Sequence, residues 1–496
     1  MLERVLPEQV GVSSADIQKY ISVLEQAQLS THDIMMIRHG KVFYENYWAP
    51  FHKEFQHRMY SVSKSFVSIA VGFLEQEGKL KLTDKIVDLF APKIVENAGG
   101  NVKYQTVRDM LMMSTGFPEE YMDWFSLKTA DRLKAYFDES GHGGTTRVPG
   151  ATFVYDSWGS FVLGSLVEEM TGMNLMDYLR EKVFDRIGVS KGAYCLKCPG
   201  GHSWGDSAVM CTAEDLARVV LFTMNLGEWE GEQILNKEYL RTATSNLIDT
   251  DRQGYLAPSS YGYGYQIWHV RENSFWFHGM GCQYGIAVPE KDMVFVINAD
   301  NQGIPHAESC IIDRFFEEVV DHVQDGPIEE NPEAYQALMN YSKSLKLFSY
   351  SGSVEDTWSR KISGKKFRLN ENSMGIEWVK FTFDGDEGMM EYKNAQGEKK
   401  LAVGIDKNVF GKFPQEGYSD LVGTIPAPGH YYDCAASAKW THENKLAILV
   451  QIIDKYFGRL HIRVAFMDDG IIALDMNKVA EDFLDEYVGY ADGRVE

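Results

Sequence analysis

The sequence predicts an α+β protein that carries a second, all-β unit towards its C-terminal end. Three observations point there. A chain of 496 residues exceeds what one ordinary core organises, so two or three structural units are expected. Up to about residue 325 helical periodicities are mixed with apolar β runs, whereas beyond about residue 345 short strands alternate with turn residues. The apolar fraction of 44% and the aromatic fraction of 13% belong to a compact globular chain.

Residues 14–28 read as an amphipathic helix, with Ser13 or Ser14 as cap and Ile17, Ile21 and Leu24 at helical spacing. "DIMMIRHGKVFYENYW" reads as a hairpin turning at His39-Gly40-Lys41. "MYSVSKSFVSIAVGFLEQEGKL" is a helix that is apolar almost all round, through Phe66, Ile69, Ala70, Phe73 and Leu74. The middle is mostly helical, as in "TVRDMLMMS" and "SFVLGSLVEEMTGMNLMDYLREKVF". Strands return in "SFWFHGMGCQYGIAVPEKDMVFVINAD", and the helix "ESCIIDRFFEEVVDHV" follows. Gly, two Pro and acids then break the pattern in "VQDGPIEENPEAYQ". "IEWVKFTFDGDEGMMEYKN", "KWTHENKLAILVQIID" and "RLHIRVAF" are strands of an antiparallel barrel or sandwich. The expected domains are residues 1–330, a linker over 331–350, and a β-rich domain over 351–496.

A net charge of −22 argues against a nucleic-acid groove or an anionic membrane surface as partner. The opening residues lack a basic segment followed by an apolar one, and no apolar run reaches the roughly 18 residues of a membrane span. Six cysteines in so long a chain do not make a disulfide framework. A soluble cytoplasmic protein acting on a small molecule is expected, with no cofactor and with its oligomeric state open.

The chemistry-bearing stretches are three. Ser61 and Lys64 lie three apart, on one face of a helix, so hydroxyl and amine can meet. A serine needs a base to become a nucleophile, and a lysine with its charge suppressed can be that base. A bare Ser-x-x-Lys is usually a solvated pair, but this one sits in an apolar helix, where a lysine needs a partner or a task. Tyr155, in "VPGATFVYDSWGSF", lies at the mouth of a helix after a Pro149-Gly150 turn. His278, Gly279 and Gly281 lie on a strand, where small residues let a substrate backbone approach and offer an N–H to an oxyanion.

Together, and in this order, the three resemble the β-lactamase-like serine hydrolases. That group includes class C β-lactamases, esterases, D-aminopeptidases, penicillin-binding proteins and 6-aminohexanoate-dimer hydrolases. "YQTVRDMLMMSTGF", "VMCTAEDLARVVLF" and "YGYGYQIW" extend the resemblance over roughly residues 5–325. It implies a β-lactamase/transpeptidase-like antiparallel sheet flanked by helices, with a helical lobe. It also implies that Ser61 is the acylated nucleophile and that Lys64 and Tyr155 transfer protons. The Ser61 N–H and one near Gly281 would form the oxyanion hole, with Ser157, His278 and Gly279 lining the substrate site.

Two departures from the group's pattern matter. The Tyr-x-Asn motif reads Tyr155-Asp156-Ser157, and the Lys/His-Thr/Ser-Gly motif reads His278-Gly279-Met280-Gly281. A phenol ionises near pH 10, and with His278 in place of a permanent cation Lys64 is favoured as the base in acylation. The expected activity is hydrolysis of an ester or small amide. The alternatives are a catalytically silent binding protein on this scaffold, or a penicillin-recognising D-peptidase or β-lactamase. Cys195, Cys198, His202 and Cys211 include a Cys-x-x-Cys spacing, but free buried thiols are expected there and no metal is assigned. "DTDRQGYLAPSS" ends on Ser260 where a calcium loop needs Glu, so calcium is not assigned either.

Overall fold

The computed structural model describes residues 2–116, 131–139, 141–142, 145–250, 260–271, 273–417, 427–481 and 483–496. The chain forms two compact units, one running through Lys346 and the other starting at Leu347. Among the described residues no helix is long and apolar enough to cross a membrane.

The strands of the first unit are β1 (Thr31–Arg38), β2 (Lys41–Tyr47), β3 (His57–Arg58), β4 (Tyr194–Cys195), β5 (Val209–Cys211), β6 (Glu228–Trp229), β7 (Glu232–Gln233), β8 (Ser260–Tyr263), β9 (Trp268–Val270), β10 (Phe275–Gly279), β11 (Gln283–Val288) and β12 (Met293–Ala299). Its helices are α1 (Ser14–Gln26), α2 (Ser63–Gln76), α3 (Ile86–Leu89), α4 (Val107–Leu111), α5 (Arg132–Phe137), α6 (Ser157–Thr171), α7 (Leu175–Leu179), α8 (Asp185–Ile187), α9 (Ala213–Met224), α10 (Lys237–Ala243), α11 (Ala307–Glu318) and α12 (Pro332–Ser344).

Seven strands make one antiparallel sheet in the order β2-β1-β12-β11-β10-β9-β8. The predicted hairpin is β1–β2, and the predicted first helix is α1, capped by the Ser13 hydroxyl, which accepts from Ala15 N at 3.2 Å. On one face Ile17, Tyr20 and Leu24 of α1 and Ile311 and Phe315 of α11 pack with Trp276, Ile286 and Phe295. On the other, Leu216 and Val220 of α9 reach Gly285. Burial on both faces explains why β1 and β12 read as continuous apolar runs. Helices α2, α4, α5, α6 and α7 form the helical lobe, and β3-β5-β4 make a small sheet of their own.

The second unit holds α13 (Ser359–Ile362) and the strands β13 (Lys366–Leu369), β14 (Trp378–Asp384), β15 (Glu387–Asn394), β16 (Gly397–Ile405), β17 (Val409–Lys412), β18 (Asp433–His442), β19 (Lys445–Ile453), β20 (Phe457–Met467), β21 (Ile471–Val479) and β22 (Gly489–Val495). Their order is β16-β15-β14-β13-β22-β21-β20-β19-β18-β17, and a parallel pairing of Gly404–Ile405 with Ser437–Ala438 joins β16 to β18. Nine strands therefore close into a barrel, with β17 attached at the margin of β18. Of the two architectures the alternation allowed, the barrel is the one formed. Inward residues such as Phe381, Leu401, Ile448, Ile462 and Leu474 fill it.

In the first unit, β1 carries a buried carboxyl. Asp33 accepts from Asn298 Nδ2 at 2.8 Å, and its other oxygen lies 3.3 Å from His57 Nδ1. Burial pushes the Asp33 carboxyl up to about 7 and the His57 imidazole down to about 3, so the two are neutral together. The raised Asp33 contributes most below the ordinary carboxylate range and loses that contribution as pH rises towards 7. The depressed His57 contributes most above its ordinary 6.5 and loses it as pH falls towards 3. Between about pH 4 and 6.5 the two slopes oppose each other, and Asp33→Asn leaves only that of His57. The stability of Asp33→Asn relative to wild type should therefore rise over this window by up to about 1.4 kcal/mol per pH unit. Denaturant titrations at several pH values read it, and a flat difference would contradict the neutral pair.

Candidate active site

Strand β3 pairs with β5, and Met59 N donates to Val209 O at 2.8 Å, so the chain enters the next turn from a fixed position. Tyr60 then takes φ +45°, a left-handed conformation that costs a bulky residue about 1–3 kcal/mol. The Arg58 guanidinium covers the Tyr60 ring at 4.4 Å. This turn (Tyr60–Val62) presents Ser61, partly exposed, two residues ahead of α2. From Ser63 to Leu74 every residue of α2 is buried. Lys64 is among them, and its Nζ lies 2.8 Å from Ser61 Oγ and 2.8 Å from the Asp206 carbonyl. The spacing expected to bring hydroxyl and amine together does so.

Neighbouring hydrogen bonds lock α2 in place. Ser63 Oγ accepts from Val209 N at 3.0 Å, and Ser65 Oγ donates to Gln266 O at 2.8 Å. The Gln266 side chain takes the Ser160 hydroxyl of α6 at 2.7 Å and donates to Met110 O of α4 at 2.8 Å. One glutamine from "YGYGYQIW" thus ties together three helices of the lobe.

Tyr155 lies where α6 begins, and its ring is 5.0 Å from Lys64 Nζ, within cation–π range. It stacks on Trp268 with ring centres 5.6 Å apart, and Phe153 and Tyr263 pack on the same indole. Asp156 turns away from the cleft. Its carboxylate caps α6 by accepting from Gly159 N (2.9 Å), takes the Thr115 hydroxyl (2.8 Å), and lies 3.1 Å from His142 Nε2. A Cβ on Gly159 would stand 2.7 Å from that carboxylate, so the cap needs glycine there. Burial alone would raise the Asp156 carboxyl, but the His142 ring and these hydrogen bonds outweigh it and hold the group below the ordinary carboxylate range. Ser157 is the first residue of α6 and partly exposed.

On β10, Gly279 has no room for a side chain, because a Cβ would meet the Met59 carbonyl at 2.5 Å. The strand therefore runs directly beside the turn that carries Ser61. His278 Nε2 lies 2.8 Å from Glu308 Oε2, which also accepts from Tyr284 OH at 3.1 Å. Gly281 sits between β10 and β11 at φ +78°, its carbonyl accepting from Asn301 N at 3.0 Å. Glu308, Trp268 and Asp206 are the neighbours that the sequence did not single out. They come from distant parts of the chain, and only the apolar run around Trp268 gave any signal.

The cysteines are all free. Arg132 Nη1 donates to Cys198 Sγ at 3.3 Å, and His202 pairs with Glu169 at 3.0 Å. Among the described residues no three His, Cys, Asp or Glu side chains are placed to hold a metal ion. Most of the discarded calcium segment, residues 251–259, lies outside the described residues.

The beta-lactamase family profile matches residues 20–310, more than half of the chain. The chain belongs to the beta-lactamase family. It is similar to the 6-aminohexanoate-dimer hydrolase of Paenarthrobacter ureafaciens, 26% identical over 228 residues that cover 43% of this chain. That match spans 56% of the relative, little more than half its length. A second similarity, 26% over 147 residues, is to penicillin-binding protein 4* of Bacillus subtilis (strain 168), covering 26% of this chain and 29% of that protein. Among solved structures, the "Putative 6-aminohexanoate-dimer hydrolase from Bacillus anthracis" shares the fold with a TM-score of 0.52 and 18% identity, over 64% of this chain and 86% of that one.

The Asp156 network gives a stability prediction for this family member. Asp156→Ala removes a cap and leaves buried His142 without its carboxylate. The unfolding free energy of the first unit should fall by about 3 kcal/mol at neutral pH. Because the carboxyl is depressed in the fold, the loss should shrink as pH falls below about 4. Denaturant midpoints at pH 7 and pH 3.5 check both statements.

Proposed function

We propose that the protein is a serine hydrolase that cleaves an ester or small amide through an acyl-enzyme on Ser61. The observation that carries the reading is the 2.8 Å contact between Ser61 Oγ and Lys64 Nζ, with the amine held from the other side by the Asp206 carbonyl. A neutral amine that donates to that carbonyl keeps its lone pair for the serine proton. Ser61 Oγ attacks the substrate carbonyl carbon while its proton passes to Lys64 Nζ. The negative oxygen that forms is met by backbone N–H groups at Ser61 and at the end of β10, which Gly279 brings close. Tyr155, beside Lys64, relays the proton to the leaving alkoxide or amine, and the C–O or C–N bond breaks. Water then attacks the acyl carbon, gives its proton to the same amine–phenol pair, and restores the Ser61 hydroxyl.

The third motif supports the choice of substrate. It has neither the lysine nor the hydroxyl that would grip a β-lactam or peptide carboxylate, and the imidazole in its place is matched by Glu308. The 6-aminohexanoate-dimer hydrolase it resembles is a hydrolase by name, which agrees with a hydrolytic reaction here.

Incubation with a fluorophosphonate followed by intact-mass analysis tests this reading. One adduct on wild type, none on Ser61→Ala, and labelling slowed about 100-fold or more in Lys64→Met are expected. Wild type should also turn over p-nitrophenyl acetate, with little retention of a labelled penicillin. A folded wild type that takes no adduct would favour a silent binding protein on this scaffold.

A further inference from the structure

Lys64 shares its pocket with a carboxylate. The segment Trp204–Ala208 leads into β5 and places Asp206 against the amine, which its carbonyl accepts at 2.8 Å. Asp206 is fully buried, and among the described residues neither of its carboxyl oxygens has a hydrogen-bond partner. A carboxylate so placed is stable only if charges around it compensate for lost hydration.

Those charges come from three elements: Lys64 on α2, Arg132 on α5 and Arg58 on β3. Both arginines are fully buried and stand over the Trp204 ring, Arg58 at 4.6 Å and Arg132 at 5.5 Å. Arg58 also donates to the Ser207 carbonyl at 3.1 Å and hydroxyl at 3.0 Å. Other titratable groups act here too: the thiols of Cys195 and Cys198, which burial raises so that they stay neutral, the Glu168 carboxylate beside Cys195, and the Tyr155 phenol, whose ring lies 5.0 Å from Lys64 Nζ. Among the described residues, three cationic side chains and the Asp206 carboxylate therefore share dry surroundings. The guanidinium groups cannot release a proton, whereas the lysine can. The arginines favour its neutral form, and Asp206 favours its charged form.

We propose that Asp206 is a positioning residue whose carboxylate counters Arg58 and Arg132 and thereby sets the pH at which Lys64 becomes able to take the Ser61 proton. The catalytic meaning of this inference rests on the proposed role of Lys64, while its electrostatic content does not. Burial raises the Asp206 carboxyl to about 6, so at neutral pH the counter-charge is present.

The test is a pH titration of the lysine ¹³Cε resonances in the full-length protein, with the Lys64 signal assigned through Lys64→Met. The set comprises wild type, Asp206→Asn and Arg132→Met, and fluorophosphonate labelling rates are taken alongside. In Asp206→Asn the Lys64 midpoint should fall by about one pH unit or more, and in Arg132→Met it should rise. The rising limb of the labelling rate should move with it. The wild type needs no variant: its Lys64 signal should show a smaller step near pH 6 as Asp206 takes its proton. A midpoint unmoved in whichever variant folds, or a wild-type signal without that step, overturns the proposal. A purely structural Asp206 would lower thermal stability and leave the titration in place. If the midpoints move but wild type takes no adduct, the hydrolase reading fails and the role of Asp206 stands.

Discussion

Removing an amine from water costs several kcal/mol unless other groups replace its hydration, and the helix that carries Lys64 offers no such groups. Its buried residues are Phe66, Val67, Ile69, Ala70, Val71, Phe73 and Leu74, with Gly72 and with Ser63, Ser65 and Ser68, whose hydroxyls bond to Val209 N, Gln266 O and Tyr239 OH instead. The replacements come from outside it: the Ser61 hydroxyl, the Asp206 carbonyl and the face of Tyr155. Each is delivered by a different segment, and each segment is itself pinned. The Ser61 turn is held by β3 on β5, the Asp206 segment continues into that same β5, and Tyr155 is fixed by Trp268 and by the cap of α6. Solvating one buried nitrogen thus defines how the lobe meets the small sheet.

What the sequence made legible follows from how far apart the partners are. Ser61 and Lys64 are three residues apart, so helical geometry alone pairs them. The hairpin β1–β2 and the strands beyond residue 365 were visible because alternation and turn residues are local signals. Asp206 lies 142 residues from the lysine it faces, in a segment with no periodicity, and Glu308 lies 30 residues from His278. Nothing in "GDSAV" distinguishes a charge-balancing aspartate from a loop residue. Asp156 was visible as a departure from a motif, but its work as a helix cap, facing away from the cleft, needed the position of Thr115 and His142. Barrel and sandwich could not be told apart because closure depends on a short pairing between Gly404–Ile405 and Ser437–Ala438, whose residues sit at the ends of otherwise ordinary strands.

The left-handed Tyr60 and the absent side chain at Gly279 belong together. A side chain on a strained turn is presented sharply, but only if nothing crowds the turn from the sheet side. The 2.5 Å separation that a Cβ would have from the Met59 carbonyl shows how little room remains. The glycine that reads as part of a substrate-binding strand is equally a packing requirement of the turn that carries Ser61.

Closure of the C-terminal barrel has a consequence for solubility. A sheet with open sides exposes rows of unpaired backbone groups on which other chains can build, and the pairing of Gly404–Ile405 with Ser437–Ala438 shortens that open margin. Among the described residues the tenth strand, β17, takes ladder bonds from one side only. It is four residues long, includes Gly411, and ends on Lys412 paired with Asp433. A short ribbon ending in charge is a poor template for strand addition, even with the half-exposed Phe410 ring on it.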